Sequence, residues 1–215
     1  MSNDTVMKLL SDAGAIITNS HIVYTSGRHG NAYVNKDALY VHTKATSELC
    51  KAMADSYDAN QIDVVIGPTI GGVVLSQWVA HHLNANRSSG ETLAVYAEKD
   101  GEGEDKKLVI KRGYNLLIPD KNVLVVEDVV TTGGSARKVV ESARALGANI
   151  VAVSVLCNRG GITSKDIGDV PLNALTNVTL ESWAEEECPM CKDKTPINTN
   201  LGKGKAFLEK RSANV

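Results

Sequence analysis

Aromatic side chains are scarce in this chain: six Tyr, two Trp and one Phe make up 4% of its 215 residues. The hydrophobic share is nevertheless 43%, so Ala, Val, Ile and Leu must build the interior. An aliphatic, β-branched core with 18 Gly is what a buried parallel sheet covered by helices uses. Basic excess is also missing. Lys and Arg number 23 against 25 Asp and Glu, a net charge of −2, which excludes the broad positive field of a dedicated nucleic-acid binder. Four cysteines are too few to frame a disulfide scaffold of this length, so Cys50, Cys157, Cys188 and Cys191 are expected as reduced thiols. Cys50 falls in a helical pattern and Cys157 at a strand end. The first residues, MSNDTVMKLLSDAG, have no basic n-region or apolar h-region. The uncharged stretch from Val64 to Ala80 is interrupted by Gly, Pro, Thr, Ser and Gln, short of the ~20 apolar residues that span a bilayer. The expectation is a soluble cytoplasmic chain of one domain, residues 1–215, with no membrane or nucleic-acid partner.

Periodicity predicts a short helix over Asp4–Ala13, β-like pieces at Ala15–Thr18, His21–Tyr24 and Ala32–Asn35, and a helix from Thr43 to Tyr57 capped by Thr43. Strands and helices then alternate: Ile62–Ile66 with Gly71–Leu83, Leu93–Ala97, Val123–Glu127 with Gly133–Leu146, and Ile150–Cys157. That alternation predicts an α/β fold with a mostly parallel central sheet flanked by helices. Residues 98–113, EKDGEGEDKKLVIKRG, read as a flexible, solvated excursion that ends in a hairpin strand. The tail from 192 to 215 is polar and basic, with six Lys and Arg against two acids.

Neither G-x-x-x-x-G-K-[ST] nor G-x-G-x-x-G occurs, so the common nucleotide loops are excluded. What does occur is VLVVEDVVTTGGS at 123–135. A buried strand leads into two adjacent carboxylates, Glu127 and Asp128, and a Thr/Gly/Ser turn opens the next helix. Ligands of open α/β sheets bind at the carboxyl ends of strands, and a small-residue turn at a helix N-terminus offers free N–H groups and a positive dipole end to a phosphate. The carboxylates would repel that phosphate, so they suit sugar hydroxyls or a divalent cation beside it. Together these features describe a sugar-phosphate site. The plainer alternative is a strand-end acid pair followed by an ordinary N-cap.

The same run resembles the 5-phosphoribosyl 1-diphosphate (PRPP) motif of type I phosphoribosyltransferases. YTSGRHGNAYVNKDALY at 24–40 resembles the N-terminal base-binding segment of the orotate branch, IGPTIGGVVL at 66–75 its diphosphate loop, AEKDGE and KRGY the borders of its catalytic loop, and ECPMCKDKTPI its ECPLC-type ending. The resemblance spans roughly residues 15 to 197. It implies the type I phosphoribosyltransferase fold with a small N-terminal hood (1–40) and a flexible catalytic loop. It also implies Mg²⁺-dependent transfer of phosphoribose from PRPP to orotate, in pyrimidine biosynthesis, by a homodimer whose loop 98–113 reaches the neighbouring site. Two alternatives remain open: transfer to a purine or other base, and a non-catalytic PRPP-sensing regulator.

Carried over residue by residue, the resemblance gives PRPP to Arg28, Thr69, Ile70, Gly71, Gly72, Lys99, Glu127, Asp128, Val129, Val130, Thr131, Thr132, Gly133, Gly134 and Ser135. Glu127 and Asp128 take the ribose hydroxyls, directly or through Mg²⁺-bound water, with no direct metal ligand in the protein. Tyr33, Val34, Thr131 and Arg159 take orotate. Lys99 and Asp128 are the catalytic candidates, and Lys106, Lys107, Lys111 and Arg112 compete with Lys99. Gly30 stands where the family usually has serine. His29 reads as a turn residue, and Cys188-x-x-Cys191, lacking a second pair or histidines at ligand spacing, reads as a structural turn ahead of a metal site.

Overall fold

Strands rich in Val, Ile and Leu, separated by helices long enough to cross over, can pair in parallel only by burying both faces. The computed structural model follows that rule; it describes residues 1–24, 26–101, 107–178 and 180–213. The N-terminal part runs α1 (Asn3–Asp12), β1 (Ile16–Ile17), β2 (Ile22–Val23), β3 (His29–Gly30), β4 (Tyr33–Val34), α2 (Lys36–Tyr40) and α3 (Thr43–Ala54). The alternating part runs β5 (Val64–Pro68), α4 (Gly71–Asn86), β6 (Leu93–Asp100), β7 (Lys107–Val109), β8 (Asn122–Val130), α5 (Gly134–Ala145), β9 (Asn149–Asn158) and β10 (Leu172–Asn177). It closes with β11 (Ser182–Trp183), α6 (Pro189–Lys192) and α7 (Gly204–Ala213).

The main sheet has the order β10-β9-β8-β5-β6-β7, parallel throughout except for β7. From β5 the chain crosses through α4 to β6 on one side, whereas β8 lies on the other side of β5 and leads through α5 to β9. The order therefore reverses between β5 and β8, and a crevice opens beyond their carboxyl ends. Each strand alternates its side chains between two cores. Val65, Leu124 and Val126 pack with Leu75, Val79 and Leu83 of α4 and with Leu49 and Met53 of α3. Val64, Ile66, Val123 and Val125 pack with Val139 and Val140 of α5. Two further small sheets, β11-β3-β2 and β1-β4, are antiparallel.

Several expectations are corrected. Thr43 is the first residue of α3, not its cap; His42 holds the cap position and makes no side-chain capping bond. β8 runs on to Val130, so the carboxylate pair lies within the strand. The last main-sheet strand, β10, was not foreseen, and the polar tail contains α7. His29 is a fully buried strand residue and not a turn residue. Among the described residues, no helix is long and apolar enough to cross a membrane.

Candidate active site

Successive residues of a strand face opposite sides, and this separates the two adjacent acids. Asp128 falls in phase with Leu124 and Val126 and points toward α4. Glu127 falls in phase with Val123 and Val125 and points toward α5.

Asp128 is buried and held from several directions. Its Oδ2 accepts from the Tyr40 hydroxyl at 2.7 Å and lies 3.1 Å from Lys36 Nζ, while Oδ1 accepts from the Val129 amide at 2.7 Å. Lys36 and Tyr40 sit one turn apart on α2, so one helix face presents both. Burial alone would lower the Lys36 pKa, but the attraction and hydrogen bond of Asp128 outweigh it and raise the value. The Tyr40 phenol is held far above its ordinary value by burial and by the same carboxylate. Gly71 completes this corner: a Cβ there would lie 2.0 Å from Asp128 Oδ2 and 2.6 Å from the Tyr40 hydroxyl. Gly72 lies against Gly67 in the same way, 2.6 Å from the place its Cβ would take. The Thr69–Gly72 loop therefore approaches Asp128 only because Gly71 has no side chain.

Glu127 faces a cavity of about 210 Å³ bordered by Val129, Val130 and the Thr131–Ser135 turn. Burial, then the neighbouring Asp128 charge, holds its carboxyl well above the usual range; Lys36 and Lys99 act against that shift. The turn ends at Gly133, which caps α5 with φ +75. A Cβ on Gly133 would also meet Ile167 at 2.8 Å, so both conformation and space require glycine. The first amides of α5 have no partner earlier in the helix and open toward this cavity with Thr131, Thr132 and Ser135, all exposed.

The Arg159 loop abuts the turn. The Arg159 and Gly160 amides donate to Val130 O at 2.9 and 3.2 Å, and a Cβ on Gly160 would overlap Thr131 O. Asn158 closes the loop through both its amide groups to Ile162, at 2.9 and 3.1 Å. The Arg159 guanidinium then lies 5.2 Å from the centroid of the Tyr24 ring. Burial raises the Tyr24 phenol pKa, partly offset by the Arg159 charge.

The expected site residues thus converge in part. Gly71, Gly72, Glu127, Asp128, Thr131–Ser135 and Arg159 gather about the crevice, with Thr69 and the exposed Ile70 at its loop. The Val129 amide and the Val130 carbonyl are already engaged within the fold. Lys99 is exposed on β6 opposite Leu108, and it makes no ion pair among the described residues, although its charge acts on Glu127. Lys111 and Arg112 are tied to Asp100 and Glu98 at 2.8 and 3.0 Å; Lys107 lies on β7, and Lys106 lies outside the described residues. Arg28 instead bonds Ser182, through Nε to Oγ at 2.9 Å and Nη2 to the carbonyl at 2.5 Å, joining β3 to β11. Tyr33 and Val34 pair with β1, and neither borders the Glu127 cavity. Tyr24 and Tyr40 stand out in the sequence only as tyrosines of the 24–40 base-binding segment, and Lys36 does not stand out at all. Their spacing within 24–40 is visible there, but their partners lie some ninety or more positions away.

Comparison with known proteins agrees with this geometry. Residues 35–186 match the phosphoribosyl transferase domain family. Over 197 residues the chain is 32% identical to the orotate phosphoribosyltransferase of a Thermoanaerobacter species, covering 92% of this chain and 96% of the relative. It is 33% identical over 197 residues to that of Caldicellulosiruptor bescii, with the same coverage. A crystal structure of orotate phosphoribosyltransferase from Aeropyrum pernix superposes with a TM-score of 0.66 at 24% identity, over 80% of this chain and 93% of the other.

Proposed function

The chain belongs to the orotate phosphoribosyltransferase family, and from that premise we propose that it transfers the 5-phosphoribosyl group of PRPP to orotate. The products are orotidine 5′-monophosphate and diphosphate, in pyrimidine biosynthesis. The observation that carries this reading is the meeting of Glu127, Asp128 and the Thr131–Ser135 turn at the β5/β8 switch point, with Arg159 on the adjoining loop.

In this reading the Thr131–Ser135 turn takes the 5′-phosphate through the α5 amides and its own hydroxyls. Glu127 and Asp128 take the ribose hydroxyls. Thr69–Gly72 offers backbone donors to the diphosphate, and Arg159 grips the orotate carboxylate or a ring carbonyl, as a planar guanidinium does well. Departure of diphosphate leaves an oxocarbenium-like C1, so rate depends on neutralising the leaving group and aligning orotate N1 with C1. Lys99, the exposed cation at the start of loop 98–113, is suited to follow the leaving group's charge in the site that this loop serves. The carboxylate donor set fits a hard divalent cation. Both Asp128 oxygens have partners, whereas among the described residues Glu127 accepts only at Oε1, from the Asp128 amide at 3.3 Å, so Glu127 is the carboxylate freer to reach the cation. A divalent cation such as Mg²⁺, bound there with PRPP, would supply Lewis-acid stabilisation of the departing diphosphate. A cytoplasmic homodimer in which loop 98–113 serves the neighbouring site completes the proposal.

The test is an assay with PRPP and Mg²⁺, following loss of orotate absorbance beside uracil, adenine, hypoxanthine and xanthine. Turnover of orotate alone supports the reading, and turnover of a purine base instead would replace it. Light scattering that found only monomer at assay concentration would remove the dimer.

A further inference from the structure

Four side chains that the transfer reaction does not use meet on the far side of the N-terminal strands. They are His21, just before β2; His29, in β3; Cys188, the N-cap of α6; and Cys191, within it. Each offers one ligand atom, and all four atoms lie within 4.8 Å of one another. His21 Nε2 is 2.9 Å from His29 Nδ1 and 3.6 Å from each sulfur, and Cys191 Sγ is 3.3 Å from His29 Nδ1. A tetrahedral zinc with Zn–S near 2.3 Å and Zn–N near 2.0–2.1 Å has ligand–ligand edges of roughly 3.3–3.8 Å. These four of the six separations lie near those edges, and all six stay within 4.8 Å, so small side-chain shifts would close the tetrahedron around an ion.

Hydrogen bonding alone accounts poorly for this cluster. His29 is fully buried, and its polar contacts among the described residues are at Nδ1, with two other members of the cluster, His21 and Cys191. His21 Nδ1 lies 2.8 Å from the Thr195 carbonyl, which fixes the proton on Nδ1 and turns the Nε2 lone pair inward. This is the outer hydrogen bond that orients metal-bound imidazoles. Two thiolates and two neutral imidazoles would bring a divalent ion to net zero charge, which suits a pocket where His21, His29 and Cys188 are 2% exposed or less. Thiolate and imidazole are ligands for zinc rather than for the hard Mg²⁺ of the transfer reaction. A cleft of about 660 Å³, bordered by His21, Cys191, Lys194 and Thr195, gives access from solvent.

We propose that His21, His29, Cys188 and Cys191 bind one structural Zn²⁺ that fastens the N-terminal strands to the C-terminal segment. All four ligand positions are filled by protein, so the site is closed and not catalytic. Its reach explains its value. β2 and β3 are two residues each, too short to hold themselves, yet β3 carries Arg28's neighbour and Gly30, against which the Arg159-bearing Tyr24 ring rests.

The test uses the full chain and the metal alone. Elemental analysis of protein from zinc-supplemented culture, purified with a reductant, should find about one zinc per chain. Reduced protein stripped by a chelator should bind one equivalent of Co²⁺ with the intense visible bands of a tetrahedral site and a thiolate charge-transfer band. Zn²⁺ should raise its Tm by at least about 5 °C. Cys188→Ser with Cys191→Ser should lose the charge-transfer band and the zinc. Reduced wild-type chain that carries no stoichiometric zinc and leaves Co²⁺ octahedral would overturn the proposal, whether or not the double variant folds.

Discussion

The Arg159 guanidinium rests over the ring of Tyr24, 5.2 Å from its centroid, and the Tyr24 hydroxyl is anchored to the Ala32 carbonyl at 2.5 Å. An aromatic just beyond β2 therefore orients the cation proposed to meet orotate. Cation–π contacts of this kind contribute about 0.5–2 kcal/mol. Tyr24→Leu should raise the KM for orotate roughly 2- to 30-fold with little change for PRPP. Tyr24→Phe keeps the ring and should stay near wild type. Steady-state kinetics with each substrate varied decides it, and an unchanged orotate KM in Tyr24→Leu removes Tyr24 from the site.

Gly30 depends on the same ring. A Cβ at this position would stand 2.2 Å from the Tyr24 hydroxyl and 2.6 Å from two ring carbons. Serine, the residue usual in the family, cannot enter here unless Tyr24 leaves. Gly30→Ser should cost about 1–3 kcal/mol of stability and reproduce the orotate effect of Tyr24→Leu. Denaturant melts and kinetics on the single variant measure both, and a fully stable, fully active Gly30→Ser would mean that the ring has another resting place.

These two residues also mark how far the sequence could be read. The strand, acid pair and turn of 123–135 are consecutive, so periodicity and turn chemistry disclose them together. The same holds for the α4 and α5 crossovers, whereas the reversal between β5 and β8 depends on which strands pair and shows only in the fold. Contacts made across the chain were not legible. Lys36 and Tyr40 look like one face of any short helix until Asp128, 88 positions beyond Tyr40, takes their bonds. Gly30 appeared only as a missing serine, because its reason is a ring six residues back. Cys188-x-x-Cys191 lacked histidines in sequence and gains two in space, from 162 or more positions away. β10 and α7 escaped because their patterns, LNALTN and GKAFLEKRSA, are too polar to announce a strand or a buried helix face.

Lys36 is the main cation on Asp128, and its side chain is 38% exposed while that of Asp128 is 5% exposed. Removing it leaves a buried carboxylate with a hydroxyl and an amide but no countercharge. Solvent reaches the lysine, so the loss is discounted from the cost of breaking a fully buried pair to about 1–2 kcal/mol. Lys36→Met should lower stability by that amount and weaken PRPP binding. Tyr40→Phe should do less, since the ion pair survives. Calorimetry and urea melts check both, and a Lys36→Met enzyme with normal PRPP affinity would leave Asp128 without a part in holding the sugar.

Glu127 ties stability to pH. Its folded pKa is raised, first by burial and then by Asp128, so the unfolded chain ionises this group while the native state still holds the proton. The native state binds more protons in that interval, and stability therefore falls as pH rises from the ordinary carboxyl value of about 4.3 up through the raised one. Glu127→Gln should remove that fall, gaining on wild type between pH 5 and about 8 in Tm comparisons. Sugar hydroxyls or a hydrated cation favour the ionised carboxylate, so binding of Mg·PRPP should release a proton in the same interval. Calorimetry in buffers of different ionisation enthalpy reads the release. Its absence, with parallel pH profiles for wild type and variant, would mean that Glu127 is ionised before ligand arrives.

Lys99 is distinguished from Lys111 and Arg112 by what it is not bound to. Lys111 and Arg112 are tied to Asp100 and Glu98, whereas Lys99 stands exposed beside the β6–β7 junction with no ion pair among the described residues and its charge acting on Glu127. A cation held by another acid has to exchange partners before it can follow a leaving diphosphate; among the described residues Lys99 has no such partner to give up. Charge that matters only as the C1–O bond breaks should appear in kcat and not in ground-state affinity. Lys99→Ala should therefore lower kcat by a factor on the order of 100 while changing PRPP affinity less than about tenfold. Lys111→Ala should leave kcat within about threefold, because the Asp100 pair is exposed and contributes little. Single-turnover rates and PRPP titrations on the two variants separate the roles, and a reversed pattern would move the catalytic charge to Lys111.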